Sequence, residues 1–166
     1  MKPPAPDVID QLAGLAPDSP LAQLRRQRPE VVRHLQASDE AIFAPRNDAG
    51  LSAAERAAVA LRVALFLRDR GLEKHYRGRL MEHGAGQLAT GAGENPNVSA
   101  DPRWRAILSH VDRLSGDPDS ARREHIDGLL ASGLSPRAVI ALSQLVAYVN
   151  FQGRVLAGLR LLRSKP

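Results

Sequence analysis

The chain has 166 residues, 43% of them hydrophobic and 25% charged, which is the balance of one folded globular domain. It contains no cysteine, which excludes disulfides, thiolate nucleophiles, thiol redox pairs and cysteine-ligated zinc or iron–sulfur centres. The net charge is +5, but the arginines run from Arg25 to Arg163 with acids between them and aromatics are only 4%, so the clustered basic stripe of a nucleic-acid surface is missing and no such partner is expected.

The opening Met1-Lys2-Pro3-Pro4 is followed by acids and prolines rather than a secretory apolar core. The longest apolar run, 57–67, is broken by Arg62 and falls short of the ~20 residues of a bilayer span. No membrane partner and a cytoplasmic location are the expectation.

Helical periodicity then governs the chain. Asp7 caps a short helix over 8–14, a second short segment begins at Leu21, and Pro29 opens a helix over about 30–43. Ser52 and Glu55 have the spacing of a capping box, and the helix they open runs to about Asp69. This helix is apolar on nearly every face between Ala57 and Leu67, the pattern of a central buried helix. A helix over roughly 73–89 follows, then a loop over 90–99, a helix opened by Asp101-Pro102, an amphipathic helix over 120–131, and a long last helix capped by Ser135 and running towards Leu162. No convincing strand is found. The expectation is an all-α, single-domain multi-helix bundle of eight or so helices, with an N-terminal arm and short helix over 1–19 and the helical domain over 20–166.

Chemistry is sparse. The histidines (His34, His75, His83, His110, His125) form no H-x-x-x-H pair, so neither a metal nor a cofactor is expected. Glu73-Lys74-His75-Tyr76 is the densest titratable group; Glu73, His75 and Tyr76 are acid–base candidates if they share a pocket, and otherwise an ordinary charged helix start. Arg62, alone in an apolar run, is either one half of an internal ion pair or a cation facing a pocket for a carboxylate or other anion. Glu55, Arg62 and Asp69 recur at heptad spacing along one face. Ser143, Ala147, Asn150 and Arg154 form a stripe on the last helix, either a helix–helix contact or the lining of a small cavity. Arg62, Asn150 and Arg154 are the candidate ligand-binding residues.

The segment Gly133–Leu159, with Val149-Asn150-Phe151-Gln152 and Arg154, resembles the peroxidase-related branch of the alkylhydroperoxidase D-like, carboxymuconolactone decarboxylase superfamily. Asp101-Pro102-Arg103, the Asp117-Pro118 turn and Leu51-Ser52-Ala53-Ala54-Glu55-Arg56 are similar too, and the helix order fits over about 20–162. The resemblance implies the alkylhydroperoxidase D-like helical fold and a homo-oligomer, from dimer to hexamer, with a cysteine-bearing paralogue as a further partner. Thiol peroxidases of that family use a relay Glu, a C-x-x-C pair and a His. Laid without gaps from Leu51, these fall on Ala57, Asp69, Leu72 and Tyr76. Asp and Leu cannot cycle through sulfenate and disulfide, so thiol peroxidase activity is not expected. The expectation is a non-catalytic or ligand-binding subunit. The rival is a cysteine-independent enzyme of the carboxymuconolactone decarboxylase type, acting on a small carboxylate or lactone through His75, Glu73, Arg62 and Arg154.

Overall fold

The computed structural model describes residues 7–93, 95–96 and 100–163. These residues are all-α, with nine α-helices and no strand among them. In chain order they are α1 (Val8–Ala13), α2 (Pro20–Arg26), α3 (Pro29–Phe43), α4 (Ala53–Leu67), α5 (Arg70–Glu82), α6 (Gly86–Gly93), α7 (Pro102–Gly116), α8 (Arg123–Ala131) and α9 (Pro136–Arg163). A 3-10 turn, Pro118–Ser120, separates α7 from α8.

The helix starts carry the expected chemistry. Asp7 accepts from the Asp10 amide at 2.7 Å and Ser135 from the Ala138 amide at 3.1 Å. Ser52 and Glu55 form the reciprocal box, Ser52 Oγ accepting at 3.2 Å and Glu55 Oε2 at 2.8 Å. Each bond satisfies a first-turn N–H that has no partner within its own helix.

Two boundaries differ from the sequence expectation. The helix expected over 73–89 is two helices, because Gly84 adopts a left-handed φ of 63° that ends α5 and lets α6 start at Gly86. α6 continues to Gly93, inside the expected loop 90–99, where glycine and alanine carry it despite the loop-like composition; Glu94 and residues 97–99 of that loop lie outside the described residues.

α4 is the central helix. Ala57 through Leu61, Val63 and Ala64 are at most 1% exposed, and the helix packs against α5, α6, α7 and α9. Its small alanines let four neighbours approach on different sides, while the fully buried Leu61, Leu72 on α5, Ile107 on α7 and Leu142 on α9 of the same core each add about 1.5–3 kcal/mol of burial. The heptad stripe staples this helix to its surroundings: Glu55 pairs with Arg103 on α7, Arg62 with Asp112 on α7, and Asp69 with Arg160 on α9. Arg56, only 4% exposed, donates to the carbonyls of Leu51 (3.1 Å), Ile42 (2.8 Å) and Asp48 (2.7 Å), fixing the loop between α3 and α4.

At the N-terminal end α1 packs on α9, α3 and α5, with Ile9 fully buried, so its apolar residues share the one core. α9 is long and apolar enough to cross a membrane by length and composition, yet half of its most apolar window is buried within the fold.

Candidate functional site

The turn between α4 and α5 faces the C-terminal half of α9 across an open cleft of about 460 Å3. Leu67, Arg68, Asp69, Arg70 and Gly71 line one wall, and Gly153, Arg154, Ala157 and Arg160 the other. Two glycines set the width. A Cβ on Gly153 would come within 2.6 Å of Leu67 Cδ1, and one on Gly71 within 3.1 Å of Arg160 Nη2. The turn closes because Arg68 takes a left-handed φ of 54° and receives the helix C-terminus, its amide bonding Leu65 O.

Asp69 is the fixed point of the cleft. It accepts from the amides of Gly71 (3.0 Å) and Leu72 (3.1 Å), capping α5, and receives Arg160 at 2.5 and 3.1 Å. Burial alone would raise its pKa, but Arg160 and the two amides outweigh that and hold the carboxyl below its ordinary value. The carboxylate is therefore ionised and already paired. Arg68, Arg70 and Arg154 are exposed along the same cleft, and none has an ion-pair partner among the described residues.

Behind α5 lies a buried polar chain. Tyr76, fully buried, donates to Gln152 Oε1, and Gln152 Nε2 donates to Tyr148 Oη at 3.2 Å. Tyr148 donates to Asp39 Oδ1 at 3.3 Å, and Arg79 Nη2 donates to the other oxygen at 2.8 Å while its guanidinium lies 4.3 Å from the centroid of Phe43. Burial, then the Asp39 charge, pushes both phenols upward, so they stay protonated at neutral pH. The chain runs one way, from Tyr76 to a carboxylate neutralised by Arg79, with each member satisfied.

The candidate residues do not converge. Tyr76 belongs to the buried chain and not to the cleft. His75 sits beside it, ring centroids 4.9 Å apart, with Nε2 buried and without a hydrogen-bond partner; burial, then Arg79, lowers its pKa. Glu73 is half-buried and makes no ion pair with His75. Arg62 takes the internal ion-pair arrangement: its guanidinium holds Asp112 at 2.8 and 2.7 Å and donates to Ala92 O at 3.0 Å. Asn150 is likewise committed, to Ser115 Oγ at 3.1 Å and Val146 O at 3.0 Å. Ser143 donates to Val139 O at 2.9 Å and lies 3.0 Å from His110 Nε2, so the hydroxyl hydrogen is used and the imidazole carries its hydrogen on Nε2. The stripe on α9 is thus a contact with α7 at Ser143 and Asn150. Only Arg154, of the three expected ligand residues, borders the cleft. Of the rival enzyme's acid–base set, Arg154 borders the cleft while His75, Glu73 and Arg62 do not line it.

Near the turn, Leu72 and Tyr76 are fully buried, whereas Phe66 is 46% exposed beside Gly116. Sequence reasoning missed Asp39, Arg79, Gln152 and Arg160, because each pairs with a residue dozens of positions away and no local spacing marks it. A signal was present for Asp69: an Asp directly before a helical run is a cap.

No protein-family model matches the chain, and no curated protein matches its sequence. Among solved structures it is similar to an uncharacterized peroxidase-related protein from Silicibacter sp. TM1040, 18% identical, with a TM-score of 0.69, covering 78% of this chain and 68% of that one. That likeness is one of fold: the all-α bundle of a peroxidase-related protein, built here without a cysteine.

Proposed function

We propose that this chain is a thiol-free relative of the peroxidase-related, alkylhydroperoxidase D-like proteins that binds a small anion in the cleft between the α4–α5 turn and α9. What carries the reading is the state of that turn. Where the resemblance sets the first redox cysteine, Asp69 is an ionised cap locked to Arg160, and Arg68, Arg70 and Arg154 stand around it with no ion-pair partner among the described residues. A carboxylate or phosphate suits such a cleft, since guanidinium groups bind both in bidentate fashion. A hydroperoxide finds no electron donor there. At the remaining redox positions Leu72 is a buried hydrocarbon, Tyr76 a buried phenol and Ala57 part of the core.

The test is thermal unfolding in increasing phosphate, acetate and succinate at constant ionic strength. Binding to the folded state alone stabilises by RT ln(1 + [L]/Kd), so the midpoint rises with ligand concentration. Arg154→Ala and Arg70→Ala lower that rise without changing the ligand-free midpoint. Midpoints that respond equally to chloride would remove the reading. Thiol-dependent hydroperoxide consumption is expected to equal that of a heat-killed control.

A further inference from the structure

Between α7 and α8 lies a second pocket, of about 230 Å3, that shares no lining residue with the cleft at Asp69. Ala106, His110 and Arg113 of α7 face His125, Gly128 and Leu129 of α8 across it. Ser109 and the exposed Glu124 complete the lining.

His110 is 6% exposed, and only one of its ring nitrogens has a partner. Nε2 donates to Ser143 Oγ on α9, 3.0 Å away, whereas Nδ1 is buried with no hydrogen-bond partner. α9 lends no residue to the pocket, so the ring turns Nε2 away from it and leaves Nδ1 on the pocket side. The tautomer set by Ser143 makes Nδ1 a bare acceptor. Burial, then Arg113 and His125, holds His110 below the ordinary histidine value, which keeps the ring neutral and that lone pair available. A buried acceptor without a donor is unfavourable, and native folds keep few of them.

The groups beside it are donors. Arg113 donates to Ser120 Oγ at 3.3 Å and has no ion-pair partner among the described residues. His125 Nδ1 accepts from the Arg122 amide at 3.0 Å, so its own hydrogen is on Nε2. A guanidinium and an imidazole N–H together suit a carboxylate. Ala106, Gly128 and Leu129 offer carbon to carbon. The volume lies below the ~300–1,000 Å3 of sites for drug-sized ligands, which suits an acid of a few carbons.

We propose that this pocket binds a small 2-hydroxycarboxylate, its carboxylate held by Arg113 and His125 and its hydroxyl donating to His110 Nδ1. Arg113 and His110 are three positions apart on one helix face, so a short ligand reaches both. The donor to Nδ1 is a hydroxyl rather than an ammonium, because the largest charge acting on His110 is that of Arg113, which repels a second cation. Glu124, the one carboxylate of the lining, is turned to solvent.

No histidine lines the cleft at Asp69, so the Cε1 proton resonances of His110 and His125 report this pocket alone. Lactate, propionate and alanine share one carbon skeleton and differ in the hydroxyl, hydrogen or ammonium beside the carboxylate. At pH 7.5, lactate is expected to move both resonances and to bind about tenfold more tightly than propionate or alanine, the worth of one buried hydrogen bond. Arg113→Gln weakens lactate and propionate alike, with unchanged helical circular dichroism. His110→Phe, read at His125, abolishes the preference for lactate. Arg154→Ala leaves lactate binding here unchanged, which separates this pocket from the anion cleft. Resonances that do not move, equal affinity for lactate and propionate, tighter binding of alanine, or lactate binding undiminished in Arg113→Gln overturns the proposal.

Discussion

Tyr76 on α5 donates its phenolic hydrogen to Gln152 on α9, at the first link of a chain that ends at the Asp39–Arg79 ion pair. Because the donors run in one direction, removing one member leaves a buried neighbour unsatisfied. Tyr76→Phe strands Gln152 Oε1 and is expected to cost about 1–3 kcal/mol of unfolding free energy in urea titration. Tyr76→Phe with Gln152→Leu removes both partners, so the double variant should lose less than the sum of the singles. Additive losses would show that the two side chains are not coupled.

The same chain fixes the alkaline limit. Tyr76 and Tyr148 are the protein's only tyrosines, and both phenols are raised by burial and by Asp39. Their protonated form is favoured in the fold. Stability from this source is therefore full below the ordinary phenol value of about 10 and is lost as pH rises above it. Phenolate absorbance should appear together with the loss of helical circular dichroism; phenolate forming in a chain still fully helical would contradict the buried placement.

Acid acts through the histidines. Burial, then Arg79, lowers His75; burial, then Arg113 and His125, lowers His110. Below pH 6.5 the unfolded chain consequently binds more protons than the folded one. Stability is complete above about 6.5 and falls as pH drops towards the folded values. Urea midpoints measured from pH 7.5 down to 5.0 should decline, and the double variant His75→Gln, His110→Gln should flatten that decline. An unchanged slope in the double variant would place the acid sensitivity elsewhere.

Much of this architecture is legible in the sequence because its causes are local. Ser52 and Glu55 are three residues apart, Asp7 and Ser135 stand directly before their helices, and the apolar run from Ala57 to Leu67 declares a buried helix. The site is less legible because its causes are long-range. Arg62 shows by composition that it needs a partner, but nothing near it names Asp112, fifty positions on. Asp69 and Arg160 are ninety-one apart, and Tyr148 and Asp39 more than a hundred. Asn150 reads as a cavity residue or a contact residue equally well until Ser115 is seen opposite it. Periodicity says which face is buried, and packing alone says what it meets.

The Arg62–Asp112 pair tests whether that cation is structural. Their side chains are 15% and 30% exposed, so the pair is partly screened. Asp112→Ala removes the carboxylate partner of a mostly buried guanidinium, and is expected to cost about 2–3 kcal/mol. Arg62→Met, which keeps the apolar stem, should cost less. Neither should alter the anion-dependent rise in unfolding midpoint, since neither residue borders the cleft; a loss of that rise in Arg62→Met would return Arg62 to the ligand set.

Placing sulfur at the two positions where the resemblance sets the redox pair is a direct test of the thiol-free reading proposed above. Asp69→Cys removes the acceptor for two first-turn amides and the partner of Arg160, whereas Leu72→Cys exchanges a fully buried isobutyl group for a smaller thiol. The cap is worth about 1 kcal/mol, and the cavity and stranded cation add about as much again or more. The double variant should therefore lose about 2–3 kcal/mol of stability as the sum of these named losses, the Arg160 share being small because that side chain is 37% exposed. It should still turn over no hydroperoxide, because the position of the relay Glu is Ala57 in the core, and Tyr76 is a raised phenol hydrogen-bonded to Gln152. Native-state thiol titration should find the thiol at 69 reactive and the one at 72 masked. Two accessible thiols with measurable peroxide turnover would mean that sulfur alone was missing and that the surrounding residues had kept the means to use it.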